Sequence, residues 1–253
     1  MLLEVVTDSV VSSVTAANAG ADRIELCAGL LEGGITPSYG LIESVRRAVD
    51  IDVFVMIRPR GGDFLYSGSE IETMKKDIIV AKKLGVDGVV LGVLNKDGTI
   101  NKLQMEELLD LVRPLQTTFH RAFDYTVSPD ASLEGLCSLG VDRVLTSGQR
   151  TGALEGKETI RKLKEQAGDR IIIMPGGGVS EDNIEELVSS TGCSEYHMSG
   201  KSLVQSLMEY RKPGMTVGRD ADRDEFERYE TDESKVRAVR AALDNLSSVH
   251  KKT

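Results

Sequence analysis

The stretch GVDGVVL, Gly85–Leu91, decides the fold. A glycine suited to ending a helix is followed by a turn and the short strand Asp87–Leu91, the pattern of a helix stop leading into a buried parallel strand. Upstream, Glu70–Leu84 has helical periodicity. The same construction returns as GADRIEL (Gly20–Leu26), GVDRVLT (Gly140–Thr146) and, more loosely, GCSEYHM (Gly192–Met198). Between successive copies there is room for one more strand and helix. Those intervening strands read as Leu2–Val6, Val53–Ile57, Leu115–Phe119 and Arg170–Met174. The echo fits fourfold internal symmetry and also fits ordinary βα wiring. On either reading, eight strands alternating with helices predict the α/β class and a single closed (β/α)8 barrel.

Working outward, Ser9–Ala19 reads as the first helix, and Pro37 suits the first turn of the second. Helices are expected at Lys102–Val112, Pro129–Leu139, Leu154–Ala167 and Glu181–Ser190. Residues 204–232 break the pattern with KPGM and RDADRDEFERYE, and are expected as a loop or appendage after strand eight. Glu233–Leu246 resumes helical spacing and closes the barrel. One domain is expected over 1–247, with 248–253 as a tail.

The chain of 253 residues is 40% hydrophobic with a net charge of −9, which speaks against nucleic-acid partners, since these are bound by basic patches. No run approaches 18 apolar residues, so no membrane span is expected, and MLLEVVTDS lacks the features of a signal peptide. Three cysteines without CxxC spacing suit a reducing, intracellular compartment.

In such a barrel, chemistry sits at the carboxyl ends of the strands. Strand two ends with Glu25 and Cys27, and strand parity turns Arg23 inward with them. Strand three runs into Arg58, Arg60 and Asp63 (MIRPRGGDF), strand five into His120, Arg121 and Asp124 (TFHRAFD), strand six into Thr146 and Ser147. Strand seven ends in Gly176, Gly177 and Gly178 (MPGGG), strand eight in His197 and Ser199. Glu25, His120 and Asp124 are candidate acid–base groups. Arg58, Arg60, Asp63, Arg121, Ser147, Ser199 and the three glycines are candidates for holding an anion. Glu25 with His120 and His197 could alternatively hold a divalent metal. Each also has a structural reading: Arg23 as part of an interior ion-pair layer, the histidines as hydrogen-bonded rim residues, the glycines as a tight turn. No lysine ends a strand, which disfavours Schiff-base chemistry, and no GxGxxG follows one, so no nucleotide cofactor is indicated.

MIRPRGGDF with Tyr66, TFHRAFD, RVLTSG, MPGGG and DRIELCAGLLEGGITPS together resemble the CutC copper homeostasis family, from about Leu3 to Ser199. The resemblance implies a TIM-type barrel, a cytoplasmic protein (nuclear presence is compatible), a homo-oligomer such as a dimer or tetramer, and a copper ion as ligand. Cys27 is then the lead copper ligand, with His197 assisting, because a thiolate suits Cu(I). Some relatives carry a further cysteine near the end of strand one, where this chain has Val6. Cys137 and Cys193 read as packing residues. The alternative is an enzyme acting on a phosphate- or carboxylate-bearing small molecule at the barrel mouth. A non-catalytic scaffold is the third reading.

Overall fold

The computed structural model describes residues 1–212, 214–215 and 224–250. Eight parallel strands form a nearly closed (β/α)8 barrel: β1 (Leu2–Thr7), β2 (Arg23–Leu26), β3 (Asp52–Met56), β4 (Gly88–Leu91), β5 (Gln116–Phe119), β6 (Arg143–Thr146), β7 (Ile172–Pro175) and β8 (Glu195–Met198). Their order in the sheet is β7-β6-β5-β4-β3-β2-β1-β8. β7 and β8 share no ladder among the described residues, but they pass closely enough that a Cβ on Gly176 would lie 3.3 Å from the His197 Cβ. Helices α1 (Val10–Asn18), α2 (Tyr39–Ala48), α3 (Gly68–Lys83), α4 (Lys102–Val112), α5 (Pro129–Leu139), α6 (Lys157–Ala167) and α7 (Ile184–Thr191) link the strands, and α8 (Glu233–His250) completes the ring.

Strand alternation makes two cores. Leu3, Val5, Ile24, Leu26, Val53 and Val55 are fully buried outward, in one cluster with helix residues such as Val45, Met74 and Ile78. Burying each such side chain contributes about 1.5–3 kcal/mol. Cys27, Phe54, Met56 and Val90 form a separate cluster. Phe54 faces inward from β3, and Gly88 is the residue opposite it in register. A Cβ at Gly88 would come within 2.6 Å of the Phe54 ring. Gly88→Ala is therefore expected to cost about 1–3 kcal/mol through overpacking, as read by the shift in a urea unfolding midpoint.

Local chemistry corrects several sequence boundaries. α3 begins at Gly68 because Ser67 and Glu70 form a reciprocal capping box. Pro37 lies before the α2 cap instead of in its first turn, because Ser38 accepts the Leu41 N–H and starts the helix. The segment 204–232 begins and ends in an antiparallel ribbon, β9 (Lys201–Gln205) against β10 (Glu227–Thr231). Its residues 213 and 216–223 lie outside the described residues. α8 continues to His250, and residues 251–253 lie outside the described residues. Among the described residues, no helix is long and apolar enough to cross a membrane.

Candidate functional site

Below the mouth, the barrel interior is charged. Arg23, 1% exposed, donates from Nε to Glu4 (2.5 Å) and from an η nitrogen to Glu195 (2.6 Å). Arg143 meets the same Glu195 at 2.5 and 3.1 Å. Both guanidiniums lie over Phe54, 4.7 and 5.3 Å from its centroid. Buried charges persist when each is paired and hydrogen-bonded, as here. Phe54 supplies an aromatic platform for both cations.

One layer up, this network reaches the strand ends. Glu4 spans both levels: Oε2 takes Arg23 and Oε1 lies 2.7 Å from His197 Nδ1. His197 Nε2 is 3.9 Å from Glu25 Oε2. The Cys27 thiol donates to that same oxygen at 3.7 Å. Glu25 Oε1 is buried without a partner among the described residues. Glu4, Glu25 and His197 have ligand-type atoms within 4.8 Å of one another. Burial pushes Glu25 up to about 7, although His197 pulls it down. Glu4 falls to about 2, because Arg23 and His197 together outweigh burial. Burial disfavours charge on His197, but Glu25 and Glu4 outweigh it and raise its pKa. Burial, then the Glu25 charge, push the Cys27 thiol well above its usual range.

Across the barrel, β5 ends in His120. Its Nδ1 accepts the Ala122 N–H at 3.2 Å, which leaves the proton of the neutral ring on Nε2. That nitrogen is buried and has no partner among the described residues. Burial, then the Arg58 charge, lower the His120 pKa to about 3. Gly92 is required beside it, since a Cβ there would lie 2.7 Å from the ring.

Above these groups opens a cavity of about 810 Å³, within the range typical of small-molecule sites. Glu25, His120 and His197 line it, as do Arg58, Asp63, Arg121 and Ser199. Several sequence candidates are occupied otherwise. Arg58 is buried and donates to the carbonyls of Glu32, Gly34 and Gly62, pinning the loops after β2 and β3. Arg60 does not line the cavity; it pairs with Glu70 and Asp63. Asp124 is buried against Thr146, Ser147 and Arg121. Ser147, bonded to Asp124 and Arg121, also stays outside the lining. So do Gly176, Gly177, Gly178 and Cys27. Gly176 admits Leu145, whose Cδ1 would lie 2.4 Å from an added Cβ. Cys27 is fully buried behind Gly34, where an added Cβ would stand 3.0 Å from Sγ.

Sequence reasoning missed Glu4, Arg143 and Glu195. Glu4 sat inside an apolar run, and its partner His197 lies 193 residues away. The available signal was parity: Glu4, Arg23, Arg143 and Glu195 are lone charges within strands otherwise suited to burial. Lys96 and Lys201, which line the cavity, were also missed because both lie beyond the ends of the barrel strands.

Known proteins match most of the chain. The CutC family model matches residues 1–202. The human copper homeostasis protein cutC homolog is 49% identical over 97% of this chain and 90% of its own length. A family protein CutC from Chromobacterium violaceum is 45% identical over 96% and 98%. The solved CutC structure from Streptococcus agalactiae superposes with a TM-score of 0.75 at 35% identity, covering 79% of this chain and 98% of that one.

Proposed function

Because this chain belongs to the CutC copper homeostasis family, its barrel mouth is where that family's chemistry is to be sought, and we propose that this chemistry is proton transfer on a small carbonyl compound. One observation carries the reading. Glu25 and His120 line the same cavity, and burial shifts them in opposite directions, raising the carboxyl pKa and lowering that of the imidazole. Glu25 has its pKa near 7 and can take or give a proton at neutral pH. His120 stays neutral and keeps an unpartnered Nε2–H. Such a pairing of carboxylate base and neutral imidazole donor suits enolisation. The Glu25 carboxylate takes a proton from the carbon beside a carbonyl. The C–H electron pair becomes the C=C bond, and the carbonyl π pair moves onto oxygen, which the His120 Nε2–H holds. Return of a proton from Glu25 to the same carbon, with the electron pair falling back from oxygen to re-form the C=O bond, completes the cycle and exchanges that hydrogen with solvent. Proton NMR in D2O tests it on pyruvate, glyceraldehyde 3-phosphate and dihydroxyacetone phosphate. Deuterium wash-in above the uncatalysed rate is expected for at least one. Background rates for all three would remove the reading.

A second reading, binding of copper as cargo, is favoured by the setting of Cys27. Its sulfur and the Met56 methyl both pack on Gly34, 3.0 and 3.5 Å from where a Cβ would stand. This gives one thiol and one thioether, donors soft enough for Cu(I). The other cysteines lie elsewhere, Cys137 on α5 and Cys193 before β8, so the site holds a single thiolate. Glu25, already accepting the thiol hydrogen bond, is the nearest acceptor for the proton that the metal displaces. Because the thiol pKa is raised, Cu(I) affinity is expected to increase with pH. Competition with a chromophoric Cu(I) chelator should show weaker binding in Cys27→Ser; equal affinity would eliminate Cys27 as the ligand. A cytoplasmic setting and assembly into a dimer or tetramer accompany this reading, the latter read by light scattering.

A further inference from the structure

We propose that Arg121 is the anchor for an anionic group on the ligand of the barrel mouth, so that the ligand is a small carbonyl compound with a carboxylate or phosphate tail. The carbonyl part rests on the acid–base reading above; the anion part stands on separate observations.

Three arginines follow the strand ends near the mouth, and their hydrogen bonds differentiate them. Arg58 is committed to three backbone carbonyls. Arg60 is committed to Glu70 and Asp63 outside the cavity. Arg121 lines the cavity with its side chain 42% exposed. Its Nε donates to Asp124 at 2.8 Å, and one η nitrogen donates to Ser147 Oγ at 2.8 Å and to the Arg150 carbonyl at 3.5 Å. The other η nitrogen has no hydrogen-bond partner among the described residues. The guanidinium is thus fixed in plane on one edge and open on the other, the arrangement that favours directed recognition of an oxyanion.

The fixing is extensive. Asp124 is itself locked by Thr146 Oγ1 (2.5 Å) and by the backbone N–H groups of Ser147 (3.1 Å) and Gln149 (3.2 Å). Gln149 adopts φ 58°, and its side chain donates to the Thr126 carbonyl at 2.6 Å. A non-glycine residue in the left-handed region costs about 1–3 kcal/mol, so the loop after β6 accepts strain while it organises Asp124 and Arg121. On the other flank stands Gly177. A Cβ there would lie 3.4 Å from the free η nitrogen and 3.3 Å from Ser147 Cβ, and its φ of 99° is itself a glycine conformation. The bare backbone keeps the open edge accessible.

Asp124 cancels much of the Arg121 charge. Recognition then rests on the directed N–H groups, supported by Lys96 and Lys201 on the cavity wall, and a lysine should not replace Arg121.

The experiment is calorimetric titration of phosphoglycolate, glycolate and inorganic phosphate into the wild type, Arg121→Ala, Arg121→Lys and Glu25→Gln. Ligand-free melting of each variant reports any loss of folding. The wild type should bind phosphoglycolate or glycolate, and comparison with inorganic phosphate identifies which end is held. Arg121→Ala should weaken binding by about tenfold or more, as expected for a charge-assisted hydrogen bond. Arg121→Lys should fold normally and still bind more weakly than the wild type. Glu25→Gln should retain the anion. Equal affinity in the wild type and a folded Arg121→Lys, or no binding of any anion by the wild type, overturns the anchor. Arg121-dependent binding without proton exchange upholds the anchor and removes the acid–base reading. Exchange with an unchanged KM in Arg121→Lys does the reverse.

Discussion

Arg23→Ala is expected to destabilise the barrel by about 3–5 kcal/mol at neutral pH, the usual cost of removing one partner from a buried ion pair. Arg23 lies between Glu4 and Glu195 with 1% exposure. Without it, Glu195 keeps Arg143, but Glu4 keeps only His197. The pH dependence gives the effect a signature. In the wild type Glu4 is depressed to about 2. Its contribution is therefore present above the ordinary carboxylate range and lost only as the pH falls toward 2. In the variant, Glu4 loses its strongest cation and can protonate at higher pH, relieving the buried charge. The deficit in urea unfolding should consequently be larger at pH 7 than at pH 4.5. A deficit under about 1 kcal/mol at pH 7 would mean that the interior charges do not hold the barrel together.

Glu25→Gln should lower proton-exchange activity by about 10²–10⁴-fold, the range for removal of a general base. The wild-type rate should rise with pH through about 7, as Glu25 ionises. Stability should move the opposite way. A carboxylate raised by burial favours the fold below its ordinary pKa, and that contribution is lost as the pH rises through about 7. Glutamine carries no charge to desolvate, so the variant's stability should be flatter over this window. Lost activity with stability maintained on the alkaline side would separate the catalytic role from a structural one. A variant that exchanges protons at the wild-type rate would end the base assignment.

Much of the fold is legible in the sequence, and the exceptions have a common cause. Glycine helix stops and apolar runs are local, so the strands and most helices could be read from spacing alone. Parity turned Arg23, Glu25 and Cys27 to one side, as their contacts with Glu4, Glu195 and one another bear out. What composition could not say is which charges are already committed. Arg58 and Arg60 resemble a clamp in MIRPRGGDF, yet their partners are backbone carbonyls and carboxylates brought in by loop geometry. Arg121 has a similar sequence setting, but Asp124, Ser147 and the Arg150 carbonyl take only Nε and one η nitrogen, leaving the other η nitrogen without a partner among the described residues. Glu4 escaped notice because its role depends on His197 at the far end of the barrel sequence. Hydrogen-bond occupancy is a tertiary property, and it distinguishes a free arginine from a structural one.

Phe54 has a consequence beyond its part in packing. Its ring is fully buried, crossed by Arg23 and Arg143, and faced by a glycine that gives it room. Among the described residues, this layer fills the barrel at mid-height, so the cavity at the mouth does not run on through the cylinder. Cargo therefore cannot be threaded along the axis from one end of the barrel to the other.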